Sequence, residues 1–225
     1  MLDSSKILKT FKGTAPIFPL SEFVMFPRTA YSFNIFEPRY KQLMDHILSG
    51  DRFFCLTLIK NQKKGRDSEL YKCGTLSYVI EDKKKGNGNY NIIASGLKKV
   101  SIIELESEFL YRIGQLKLIN DNDIIIEEKL KRKKLINKFI KLMTSNDMDM
   151  LDIKSLDLSF ISTEMLTNLA CLVSSLSSKD KQKLLELDDI ALRLDILCQF
   201  MDSELKVEND LLNFNQIIPT NIKWN

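Results

Sequence analysis

The chain is poor in the residues that most chemistry requires. Of its 225 residues one is histidine, one tryptophan and four cysteine. The cysteines, Cys55, Cys73, Cys171 and Cys198, form no C-x-x-C pair, and His46 alone cannot complete a zinc set with them. No metal site and no disulfide framework are expected, and the thiols read as free in a reducing, cytoplasmic setting. No G-x-x-x-x-G-K-[ST] loop is present to cradle phosphates, so no nucleotide or other cofactor is expected. No apolar run approaches the roughly 18 residues needed to cross a bilayer, and no basic start leads into an apolar segment, so no membrane association is expected. Charge of one sign is also scarce. With 33 basic and 30 acidic residues the formal net charge is +3, far from that of a dedicated nucleic-acid binder.

What is present is concentrated early. Only five prolines occur, and four of them (Pro16, Pro19, Pro27, Pro38) fall in "PIFPLSEFVMFPRTAYSFNIFEPRY", Pro16 to Tyr40. Proline cannot donate to a sheet ladder or sit inside a helix, so each marks an edge, a turn or a helix start. Pro38 suits the first position of a helix over "PRYKQLMDHILS", in which Tyr40, Leu43, Met44, Ile47 and Leu48 recur at helical spacing. Glu37 before it is held extended, so "IFEPRY" predicts strand, corner, helix. Arg39 is expected to tether this corner through a carboxylate or carbonyl, and Tyr40 to pack the helix on the sheet.

The remainder divides by period. After a polar lead-in, "FFCLTLI", "GTLSYVI", "YNIIA", "VSIIEL" and "LYRIGQLKLI" read as strands, rich in β-branched and aromatic residues. "EDKKKGNGN" is a hairpin loop, and "SGLK", Ser95 to Lys98, a second turn. From about Ile126 the apolar period becomes helical: Leu130, Ile136, Phe139, Ile140 and Met143; then Leu166, Leu169, Ala170, Val173 and Leu176; then Ile190, Leu194, Leu197, Phe200 and Met201. Ser162 or Thr163 and Ser177 or Ser178 are candidate helix caps. These patterns predict an α+β chain: a polar lead-in (1–13), a β lobe (14–122), a helical lobe (123–206) and an irregular tail (207–225) that docks through Trp224.

No residue is nominated as catalytic. Ser95 and Lys98 match S-x-x-K, but as a turn between strands they lack the helix that would bring lysine to serine. His46 lies beside Asp45 on the polar side of its helix with no nucleophile near it in sequence, and reads as a surface histidine. The basic run "KLKRKK" (Lys129, Lys131, Arg132, Lys133, Lys134) could neutralise phosphates, yet Glu127 and Glu128 precede it and an apolar stripe runs beneath, which favours a solvated helix face.

The Pro16–Tyr40 stretch, with "LSGDRFFCLTLI", "GTLSYVI", "SGLKKVSIIEL" and "KQKLLELDDIALRL", resembles the N-terminal domain of Lon proteases, most closely the stand-alone bacterial forms, over about Pro16 to Leu205. The resemblance implies a PUA-like, barrel-type β lobe followed by a helical lobe, used by the full protease to engage polypeptide and assist assembly. The signature lies in Phe36, Glu37, Pro38, Arg39 and Tyr40. Neither the nucleotide loop nor the serine-lysine peptidase motif of a full protease occurs, so no enzymatic activity is expected. Arg28 stands where many relatives have glycine.

The resemblance and the aromatic corner together imply a non-catalytic binder of unfolded or extended apolar polypeptide, an adaptor in proteolysis or quality control whose partner is a protease or a chaperone. Phe23, Met25 and Phe26 are the candidate contacts, since aromatic and methionine side chains offer large, adaptable apolar surface. The alternative is an RNA-binding module using the Lys129–Lys134 run.

Overall fold

Strand β3 (Phe53–Asn61) explains the architecture better than any other element, because six successive residues from Phe53 to Leu58 are buried. A strand reads as a continuous apolar run only when both its faces are covered. Phe53 and Cys55 point into one cluster with Ala15, Ile17, Leu76, Val100 and Leu116. Phe54 and Leu56 point the other way, into a cluster with Phe18, Tyr40, Leu43 and Met44. The first is the inside of a barrel; the second lies between the barrel and a helix.

The computed structural model describes residues 4–63, 67–119, 129–145 and 161–217. A short helix α1 (Ser4–Leu8) precedes β1 (Thr14–Leu20) and β2 (Ala30–Ile35); helix α2 (Pro38–Leu48) leads into β3, followed by β4 (Glu69–Leu70), β5 (Cys73–Lys84), β6 (Tyr90–Leu105) and β7 (Arg112–Leu118). The hydrogen-bonded order is β1-β7-β6-β5-β3-β4, and β1 also pairs with β3, in parallel, through Ile17 and Cys55 to Leu20 and Leu58. That pairing closes β1, β7, β6, β5 and β3 into a ring, the device that removes exposed edges. Helices α3 (Lys129–Ser145), α4 (Thr163–Val173), α5 (Ser178–Glu186) and α6 (Ile190–Ile217) form the second lobe. The chain is therefore α+β, as its periodicities predict.

The EPRY corner forms as expected. Pro38 opens α2, Glu37 is extended with φ −67° and ψ 135°, and the Glu37 carbonyl accepts from Tyr40 N and Lys41 N. Arg39 pairs with the Glu37 carboxylate at 2.8 Å. The Tyr40 ring lies 4.3 Å from that of Phe18 and its hydroxyl donates to the Pro19 carbonyl at 3.2 Å, fastening α2 to β1. Burial pushes the phenol up to about 12. Tyr40→Ala should cost about 3 kcal/mol by urea denaturation; an unchanged midpoint would show that the ring does not hold α2.

The caps also follow the sequence: Ser162 Oγ accepts from Met165 N and Ser177 Oγ from Asp180 N, opening α4 and α5.

Three expectations need correction. "SGLK" is not a turn: Ser95 to Lys98 lie inside β6, which runs unbroken for 16 residues and pairs with β5 and, in its first half, β2. The small polar residues imitate a turn, but Gly96 is there to admit another segment against the strand. The tail is not irregular from 207, because α6 continues to Ile217; a polar sequence without a clear stripe can extend a helix that a packed first half has nucleated. Trp224 and the 122/123 lobe boundary lie outside the described residues. The lead-in is not merely polar, since Ile7, Leu8 and Phe11 pack against the barrel core and the Phe11 ring meets Phe53 edge-on at 5.3 Å. Among the described side chains of α3, Leu135 and Phe139 are fully buried, with Ile136 and Ile140 partly covered.

Candidate polypeptide-binding site

Between β1 and β2 the chain leaves the barrel, and the residues of this excursion meet different fates. Val24 and Phe26 point into the helical lobe and share a cluster with Leu58 of β3 and with Leu135, Phe139, Leu166, Ala170, Leu184, Leu194 and Leu197. Phe26 is wholly buried there, a plug that joins the lobes through one apolar core. Met25 turns the other way, beneath α2. Neither side chain reaches solvent, so neither can touch a partner in this fold. The candidate contacts Met25 and Phe26 are corrected accordingly to core residues. Burial is the common fate of an apolar residue beside two covering elements, and local sequence does not register the second lobe.

Phe23 differs. It is half-buried and its ring lies 4.5 Å from that of Tyr31 and 5.3 Å from that of Phe33, which are themselves 5.1 Å apart. Tyr31 and Phe33 alternate on β2, so they share one face of the strand. Tyr31 is 46% exposed, and Phe36, just past the end of β2, is 62% exposed. Among the described residues β2 pairs with β6 alone, leaving its other edge open. An open edge beside adaptable aromatic surface can receive an extended segment by main-chain hydrogen bonds, with side-chain contacts on the rings. The pattern "AYSFNI" carried this signal, because its alternation places both rings on one side.

The turn behind the plug is tightly held. Arg28 N donates to the Gly96 carbonyl at 2.8 Å and Gly96 N to the Thr29 carbonyl at 2.9 Å. Arg28 has φ +61°, the left-handed conformation that glycine adopts most readily. Here the arginine side chain reaches Glu164 of α4 at 3.3 Å, across the seam.

Arg28 and Glu164 border a seam cleft of about 630 Å³, also lined by Leu8, Leu97, Lys98 and Met165. A polar clasp also joins the lobes. Buried Arg193 donates to Asn168 Oδ1 at 2.7 Å and to the Leu184 carbonyl at 2.9 Å, and Asn168 Nδ2 donates to the Pro27 carbonyl at 3.1 Å. Lys99, on β6, ion-pairs with Asp188 at 2.8 Å and donates to the Leu187 carbonyl.

The basic run divides. Arg132 donates to the Ile161 carbonyl at 2.6 Å and to Thr163 Oγ1 at 3.2 Å, tying α3 to the start of α4, whereas Lys133 and Lys134 are exposed. The side chains of Lys129 and Lys131 lie outside the described residues. His46 is exposed, as expected, with Nδ1 hydrogen-bonded to the Tyr111 hydroxyl. All four cysteines are free; burial pushes the Cys73 and Cys171 thiols up to about 12 and raises Cys55 and Cys198 as well, so none is a ready thiolate. Among the described residues no three His, Cys, Asp or Glu side chains converge to hold a metal ion, and no helix is long and apolar enough to cross a membrane.

The barrel, the EPRY corner and the helical lobe together correspond to a known family: the profile of the ATP-dependent protease La (LON) substrate-binding domain matches residues 14–203. The chain belongs to the Lon substrate-binding domain family. The Lon protease of Buchnera aphidicola is 23% identical over 213 residues, which cover 93% of this chain and 27% of that protein. The Lon protease of Cytophaga hutchinsonii is 25% identical over 202 residues, covering 88% and 25%. The chain thus spans about a quarter of the curated relatives it matches. Two solved structures share the fold: the N-terminal domain of a Mycobacterium avium complex Lon protease, with TM-score 0.63 at 11% identity, and a Lon N-terminal domain protein from Xanthomonas campestris, with TM-score 0.60 at 19% identity. Each alignment covers 84% of this chain and 98% of the other. Within this Lon-type domain Phe26 and Tyr40 are packing residues, whereas Phe36 and Pro38 of the signature are exposed.

Proposed function

We propose that this chain binds unfolded or extended apolar polypeptide without catalysing a reaction, and serves as an adaptor in cytoplasmic proteolysis or quality control. The observation that carries this reading is the open edge of β2 beside the half-exposed cluster of Phe23, Tyr31 and Phe33. Membership of a substrate-binding family supports it. Backbone bonding to the edge is indifferent to sequence, and the rings favour apolar side chains, a combination suited to many unfolded segments. Ordering an unfolded segment opposes binding, so single-site affinity is expected to be on the order of micromolar. A partner protease or chaperone would supply the chemistry.

The test is binding of a reduced, alkylated, fluorescent model protein, measured by anisotropy. Replacing Tyr31 with aspartate, on a side chain that already reaches solvent, should weaken binding about tenfold while leaving the melting curve intact. Unchanged binding would remove β2 from the site. Turnover of ATP or cleavage of casein that survives repurification would overturn the non-catalytic part.

A further inference from the structure

A second surface, on the far part of the β6–β7 hairpin, combines apolar exposure with one sign of charge. Ile103 is 64% exposed, Leu110 58%, Phe109 43% and Leu105 39%, within eight residues of sequence. Glu104, Glu106 and Glu108 are interleaved with them and also exposed, and the sequence holds no lysine or arginine between Val100 and Tyr111. Glu104 is paired with Arg112 at 2.9 Å; no ion pair engages Glu106 or Glu108 among the described residues.

The turn is built rather than loose. Phe109 N donates to Ser107 Oγ at 3.2 Å and Leu110 N to Gln42 Oε1 of α2 at 2.9 Å. The Phe109 ring is stacked on buried Tyr111 at 5.0 Å, with interplanar angle 5°, and lies 5.5 Å from the ring of His46. These contacts fix the loop with part of its apolar surface still outward, so little ordering opposes binding.

The surface continues onto the barrel. Leu105 is paired with Ile113 across the hairpin, and Ile113 with Pro16 on β1, so the three side chains share one face. Pro16, Ile113 and His46 border a cleft of about 440 Å³, and Glu104 to Glu108 line another of about 500 Å³. The β5 pairing of β6 ends at Ser101, with one further bond from Ile102 N to the Lys72 carbonyl at 2.8 Å, and past it β6 pairs only with β7 among the described residues, leaving an edge at Ile103–Leu105.

We propose that the β6–β7 hairpin docks an extended polypeptide segment in which lysine or arginine alternates with large apolar residues. The carboxylates give the choice of sign, and the leucine, isoleucine and phenylalanine side chains give the apolar contact. Nucleic acid, anionic lipid and acidic peptide would each meet repulsion from Glu106 and Glu108. This surface is distinct from the one on β2 and does not rest on it.

The test uses two fluorescent peptides, one alternating lysine with leucine and phenylalanine, the other with glutamate in place of every lysine. The cationic peptide is expected to bind the intact chain at least about tenfold more tightly, with affinity that falls as salt is raised. The double variant Glu106→Lys, Glu108→Lys should remove that preference, and the exposed change Leu110→Ser should weaken the cationic peptide about fivefold without altering the melting curve. Tyr31→Ser, which removes a ring of the β2 cluster without adding charge, should weaken both peptides alike and leave the preference for the cationic one in place, which separates this surface from the edge of β2. Equal affinity for the two peptides would overturn the proposal, as would indifference to the hairpin variants. A concentration-dependent dimer lost on mutating Lys133 and Lys134 would instead assign the surface to a second copy of this chain, and would also overturn it.

Discussion

Gly96→Ala should lower stability by about 3 kcal/mol. A Cβ at this position would fall inside the van der Waals shell of the Phe26 carbonyl oxygen and 3.1 Å from Thr75 Cγ2. The first obstacle is backbone and cannot rotate away. The turn that presses on Gly96 is the one that carries the Phe26 plug and offers the Pro27 carbonyl to Asn168. Lifting the turn therefore loosens both the apolar and the polar join between the lobes. Urea denaturation of the variant should show the lowered midpoint, or insoluble expression if the lobes fail to dock. Gly86→Ala is the control: it sits in a hairpin loop where an added Cβ meets nothing within 4 Å, and it should be neutral. Equal stability of the two variants would show that the turn does not sit on β6 as described.

Arg193→Met should cost about 4 kcal/mol, through a different mechanism. Its guanidinium is fully buried and donates to the Leu184 and Leu187 carbonyls and to Asn168 Oδ1. Methionine keeps much of the apolar stem and removes every donor, leaving those acceptors without that partner in a region closed to water. Asn168→Ala, which severs the link to Pro27 but keeps the guanidinium, should cost less, about 2 kcal/mol. The two losses should add to less than their sum in the double variant, because Arg193 and Asn168 share a hydrogen bond. Strict additivity in chemical denaturation would mean that they do not act as one clasp.

The elements that sequence determined are those whose signal is local. Pro38 after Glu37 and the Tyr40, Leu43, Met44, Ile47 spacing specified α2 and its entry, because a proline-fixed φ and a 3.6-residue period are properties of neighbouring residues. Ser162 and Ser177 specified helix starts for the same reason. The alternation of Tyr31 and Phe33 on β2 is a local signal, but alternation by itself does not mark a site, and the open edge beside it carries no local signal.

Tertiary structure alone decided which side chains were available for function. Phe23, Met25 and Phe26 are adjacent in sequence and chemically alike, yet Phe23 stays at the surface, Met25 lies under α2, and Phe26 enters the helical lobe. The burial of Phe26 depends on helices more than a hundred residues downstream, which no local pattern reports. Gly96 shows the same limit. In sequence it resembles a turn residue, and only the approach of Phe26 and Thr29 reveals it as a gap left for another segment's backbone. Arg193 and Lys99 likewise read as surface charges until the lobes close over them. Local conformation is set by short-range sterics and so is written in short-range sequence; burial is set by whatever packs against a residue, and here the covering elements come from the other lobe.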